Sequence, residues 1–92
     1  MEIKLDMIGL TVKSIDASLA FYKLLGVEVP ETYEGPYCET TLRGGIRLSW
    51  NDVEMMKSIG GWVEPAGQRI GLAFLFDSPA AVDSKYAELI AA

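Results

Sequence analysis

The sequence contains no histidine and a single cysteine, Cys38, in 92 residues. Without histidine the chain lacks the commonest metal ligand and the only side chain that titrates unperturbed near neutral pH. Together the two shortages exclude, within one chain, the usual zinc sites and catalysis by Cys-His or Ser-His-Asp sets. One thiol allows no internal disulfide, which fits a reducing compartment. Basic residues are also scarce: eight Lys and Arg face thirteen Asp and Glu, a net charge of −5. A polyphosphate partner is repelled by that balance, so no nucleic acid is expected. No stretch reaches the roughly 20 apolar residues that a membrane span needs. The opening MEIKLDMIG lacks the basic-then-apolar order of a secretory signal, so a cytoplasmic protein without a membrane partner is expected. A chain this short has no room for a second domain and buries only about 60 to 65% of its unfolded surface, so marginal stability alone, or a partner, is expected.

What is present is patterned. Residues 3–12 alternate as a strand, with Ile8, Leu10 and Val12 on one face and Leu5, Met7, Gly9 and Thr11 on the other. Ser14 is placed to cap a helix carrying Ile15, Leu19, Tyr22 and Leu25 at helical spacing, and Gly26 suits the left-handed residue that ends it. Residues 27–29 read as a short strand before Pro30, and 31–36 as a polar loop. A hairpin follows, residues 37–42 and 46–50, around Gly44 and Gly45. A two-residue loop would put Glu39 and Thr41 on the face of Ile46, Leu48 and Trp50. A three-residue loop, 43–45, instead groups Cys38, Thr40 and Leu42 with those apolar residues. The second is chosen, because a one-residue slip moves a carboxylate onto the face that must bury the helix. It leaves Tyr37, Glu39, Thr41, Arg47 and Ser49 together on the opposite face.

Residues 51–68 are punctuated by Asn51-Asp52, Gly60-Gly61, Pro65 and Gly67 and read as a connector, with room for one helical turn or two through 53–59. Residues 69–76 are again a strand. Ser78-Pro79 is a cap followed by proline at the first helical position, and Val82, Tyr86, Leu89 and Ile90 form the expected buried stripe of a last helix. Displacing the chain by 64 positions lays Met7 to Val12 over Gly71 to Phe76, Ser14 over Ser78, Tyr22 over Tyr86 and Leu25 over Leu89. Two strand-helix units are thus related.

The stretches IGLTVKSIDASLAFYKLLGVEVP, YCETTLRGGIRLSW and RIGLAFLFDSPAAVDSKYAEL resemble the vicinal oxygen chelate superfamily, which includes glyoxalases, bleomycin-resistance proteins and extradiol dioxygenases. The resemblance covers nearly the whole chain. It implies an α+β fold of paired βαβββ modules, a curved mixed sheet with helices on its outer face. Module one would span about 1–50, the connector 51–68 and a partial module two 69–92. The hairpin that would complete module two is absent, so either the chain is a shortened form of a longer protein or a partner completes the sheet, as in a homodimer.

Metal-using members of that superfamily take ligands from the first and last strands of each module. Those positions fall here on Met7, Arg47 and Gly71, and a guanidinium among them would repel a divalent ion. No metal, no cofactor and no catalytic residue is therefore assigned. The concave face suits a small organic ligand, held by Met7, Gly9, Tyr37, Glu39, Arg47, Ser49 and Gly71, with Trp62 of the connector closing over it. Each residue also has a plainer reading. Glu39 and Arg47 suit a cross-strand ion pair on a wetted face. Trp50 suits core packing, as do Tyr22, Tyr86, Cys38, Met55 and Met56. Trp62 suits loop packing as well as ligand or subunit contact. Two further uses stay open: an enzyme with Glu39 as base and Arg47 steadying an oxyanion, and an incomplete module that acts by oligomerising.

Overall fold

The computed structural model describes residues 3–60, 62–64 and 74–92, in two compact units, Met1–Trp62 and Val63–Ala92. The first unit runs β1 (Met7–Val12), α1 (Ile15–Leu25), β2 (Tyr37–Thr41), β3 (Arg47–Asp52) and α2 (Val53–Gly60); the second holds α3 (Pro79–Ala91). The described strands form one mixed sheet in the order β1-β3-β2, with β1 parallel and β2 antiparallel to β3. The class is α+β.

Local chemistry accounts for α1. The Ser14 hydroxyl accepts from the Ala17 N–H at 3.1 Å, satisfying one of the donors that a helix start leaves free. At the other end Gly26 has φ of 114°, and the N–H groups of Gly26 and Val27 donate to the carbonyls of Lys23 and Tyr22. This is the paired closure that a residue without Cβ permits. The cap recurs 64 residues later, where the Ser78 hydroxyl accepts from Ala81 N–H, also at 3.1 Å, with Pro79 next in line. The helical halves of the two repeat units share this start.

The hairpin adopts the three-residue loop. Leu42 N–H donates to Ile46 O and Gly45 N–H to Leu42 O, and Cys38 stands opposite Trp50 with Thr40 opposite Leu48. Gly44 and Gly45 both have positive φ, 108° and 94°, which side chains resist. The register puts Cys38, Leu48 and Trp50 under α1, where with Ile15 and Leu19 they form the buried core. Ile8, Leu10, Val12, Tyr22, Val29, Tyr33 and Leu42 pack around it. Trp50 is fully buried, and the Tyr22 ring meets it edge-on at 5.7 Å.

Five expectations are corrected. The first strand begins at Met7 and not at residue 3, and Ile3 and Leu5 are exposed. Residues 27–29 form no strand: their link to β2 is a side-chain bond, Thr40 Oγ1 donating to Glu28 O at 2.9 Å, and Pro30 brings no N–H to extend a ladder. Asn51 and Asp52, read as the start of the connector, instead continue β3 opposite Thr11 and Val12. The Asp52 carboxylate then accepts from Glu54 N–H at 2.8 Å and starts α2, whose eight residues make the turn or two expected over 53–59. Finally, no residue of α3 is buried: Val82, Tyr86 and Ile90 are exposed and Leu89 is half-buried. Of the strand expected over 69–76, residues 69–73 lie outside the described residues, and Phe74, Leu75 and Phe76 belong to no strand.

Candidate functional site

The sheet face turned away from the α1 core collects the odd-numbered residues of all three strands. Register sets Met7 beside Arg47 and Gly9 beside Ser49 across β1 and β3, and Glu39 beside Ser49 across β3 and β2. Glu39 and Arg47 are therefore diagonal neighbours, within reach of long side chains. Arg47 Nη1 donates to both Glu39 oxygens, at 2.9 and 3.2 Å, and Nη2 donates to Asp6 Oδ2 at 2.5 Å. The fork is thus held between two carboxylates, and the three charges sum to −1.

Tyr37 extends the network, its hydroxyl donating to Glu39 Oε2 at 3.0 Å and lying 3.9 Å from Met7 Sδ. Beneath it, Asn51 Nδ2 donates to Leu10 O at 3.1 Å and to Ser49 Oγ at 3.2 Å. Burial is the largest cause raising the Tyr37 phenol above its ordinary value; Glu39 adds to it, while Ser49 and the Arg47 charge oppose it. The Arg47 guanidinium is held above its usual range by the hydrogen bond to Asp6 first, with the charges of Asp6 and Glu39 adding and desolvation opposing. Arg47, Glu39 and Asp6 all keep a third or more of their side chains in solvent, so the ion pairs position groups more than they stabilise the fold.

Six of the expected site residues, Met7, Gly9, Tyr37, Glu39, Arg47 and Ser49, are thus brought to one face. Ser49 is on that face but buried, at the centre of the central strand and shielded by Asn51. At Gly9 a side chain has room, since a Cβ there would sit 3.4 Å from both Asn51 Nδ2 and Ser49 Oγ. Trp62 is half-buried and takes no part in the network. Gly71 lies outside the described residues.

Asp6 and Asn51 were not foreseen as members. Strict alternation over 3–12 assigns Asp6 to the helix side, but the chain leaves the strand before Met7, and Arg47 N–H donates to Asp6 O at 2.8 Å. That brings the Asp6 carboxylate round to Arg47. Asn51 was legible in principle, since it continues the alternation of Arg47 and Ser49; the Asn-Asp pair gave a turn signal instead.

Chemically the face offers carboxylate oxygens, a phenol and a guanidinium over a floor of small residues. Met7 and Arg47 supply no hard donor. Among the described residues no three acidic, histidine or cysteine side chains are gathered to hold an ion. A separate groove lies on the α1 side of the sheet, between α1 and residues 27–33. Among the described residues, no helix is long and apolar enough to cross a membrane. No curated protein matches the chain. The family model for the Glyoxalase/Bleomycin resistance protein/Dioxygenase superfamily matches residues 4–92, and the chain belongs to that superfamily.

Proposed function

We propose that this is a cytoplasmic, metal-independent binding protein of the glyoxalase/bleomycin-resistance type, which holds a small organic ligand on the Arg47 face. The observation that carries the reading is the convergence of Asp6, Arg47, Glu39 and Tyr37 over the small residues Gly9 and Ser49. A binding surface needs a few polar groups fixed in place, and the network supplies them. Its excess carboxylate favours a ligand carrying a cation or several donors, in keeping with the charge of the whole chain.

Glu39 is better suited to holding a ligand than to abstracting a proton. Its two oxygens already accept from Arg47 and Tyr37, whereas a base needs an oxygen free to reach the proton it takes. A homodimer is part of the proposal. Among the described residues β1 pairs on one side only, and an unpaired edge is a place for a second copy to add.

The test is a binding screen of cationic aromatic compounds by thermal shift, repeated with Arg47→Ala and Gly9→Leu. The first variant removes the centre of the network and the second places a bulky side chain over it. Both should fold, by circular dichroism, and lose the ligand. Undiminished binding in both would remove the site from this face, and a stoichiometric metal retained through dialysis would overturn metal independence.

A further inference from the structure

The groove on the α1 side is made by a strap. After Gly26 ends the helix, residues 27–33 run back along it, and the Tyr33 hydroxyl donates to Asp16 Oδ1 at 2.5 Å, near the helix start. Midway, Thr40 Oγ1 fastens the strap to β2 through Glu28 O. The space between helix and strap is about 770 Å³, within the range of small-molecule sites.

Its lining divides by chemistry. Leu19, Val27, Val29 and Pro30 supply an aliphatic wall, continuous with the core through Leu19 and Val29. Asp16, Glu28 and Glu31 oppose the one ammonium of Lys23, a net charge of −2. Tyr33 occupies one oxygen of Asp16, whereas the carboxylates of Glu28 and Glu31 join no hydrogen bond or ion pair among the described residues. An anion is repelled here. A neutral apolar molecule would cover the wall but draw nothing from the two exposed carboxylates at its rim. A bare divalent ion lacks a converged set of three ligands.

We propose that this groove is a second ligand site, taking a small organic cation with an apolar body: the body lies against Leu19, Val29 and Pro30, and the cationic centre faces Glu28 and Glu31. It is independent of the Arg47 face, with which it shares no residue.

The experiment is a titration of the 15N-labelled full chain with benzyltrimethylammonium, with benzyl alcohol and benzenesulfonate as neutral and anionic controls. Saturating shifts are expected at amides of 16–23 and 27–33, with neither control matching them. Replacing both Glu28→Gln and Glu31→Gln should weaken the cation by about fivefold or more, the worth of two exposed charge contacts. Ala20→Trp, at an exposed helix position on the groove wall, should abolish binding without unfolding α1. Shifts confined to Tyr37, Glu39 and Arg47, equal binding of benzyl alcohol, or an affinity unchanged in the double variant would each overturn the site.

Discussion

Trp50 carries the core and one of its costs. Its ring is fully buried, yet among the described residues Nε1 has no hydrogen-bond partner. An orphaned buried donor costs about 1–3 kcal/mol, while emptying a site of this size costs about 3–5 kcal/mol. Trp50→Phe should therefore change stability by no more than about 1–2 kcal/mol, lost packing being offset by removal of the orphan. Trp50→Ala should remove most of the stability that a domain of this length has. Urea denaturation followed by circular dichroism separates the two outcomes. Tyr33 gives a residue-scale prediction of another kind. The hydrogen bond to Asp16, then burial and the charge of that carboxylate, push its phenol from 10 up to about 12. Folding thus favours the protonated phenol, so its contribution is whole below pH 10 and is lost as pH rises through about 12. Absorbance at 295 nm should show one phenol ionising last, and Tyr33→Phe should delete that step. Composition shows tyrosines but no such partnership; Asp16 and Tyr33 meet only because the strap returns.

At the scale of elements, the hairpin decides which chemistry faces which way. Its loop is three residues, and the register that follows sends Cys38, Leu48 and Trp50 to the core and Glu39 and Arg47 to the other face. Deleting Gly45 would leave a two-residue loop and slip β2 by one position, turning Glu39 toward α1. The expected outcome is loss of the folded state, seen as collapse of amide dispersion in the 15N spectrum. A retained fold with Arg47 and Glu39 still paired would contradict the account of the register. The hairpin and α1 were legible because their signals are local: glycines at positive φ, a serine cap, an apolar stripe with a period of 3.6. The segment 27–29 was not. Its alternation is that of a strand, but pairing depends on how it meets β2, twelve residues on from Glu28 at Thr40, and there a hydroxyl takes the place of a ladder. The stripe of α3 was legible as a stripe, whereas its exposure depends on what packs against it.

For the molecule as a whole, charge and size set the terms of binding. The chain carries −5, the Arg47 network −1 and the strap groove −2. Attraction of a cation to surfaces this open is screened over about 10 Å at 0.1 M salt. Raising ionic strength from about 20 to 200 mM should thus weaken a cationic ligand severalfold at either site. An affinity insensitive to salt would mean that apolar contact alone holds it. Among the described residues five buried hydrophobic side chains make a small core, so the proposed homodimer should also appear as stability that rises with protein concentration. Light scattering that gives the monomer mass across that range would remove the dimer from the proposal.

The sequence by itself determined the α+β class, the superfamily, the bounds of α1, the hairpin register and hence which side chains share a face. Each is written in periodicity, caps, loop length or motif, all of which act over a few residues. Only the tertiary structure decided that Asp6 joins Glu39 on the Arg47 guanidinium, that Ser49 is on that face yet buried, and that a strap closed by Tyr33 and Asp16 encloses a groove. Those features arise where segments distant in sequence meet. Their geometry is set by the packing of one element against another, which no local pattern encodes.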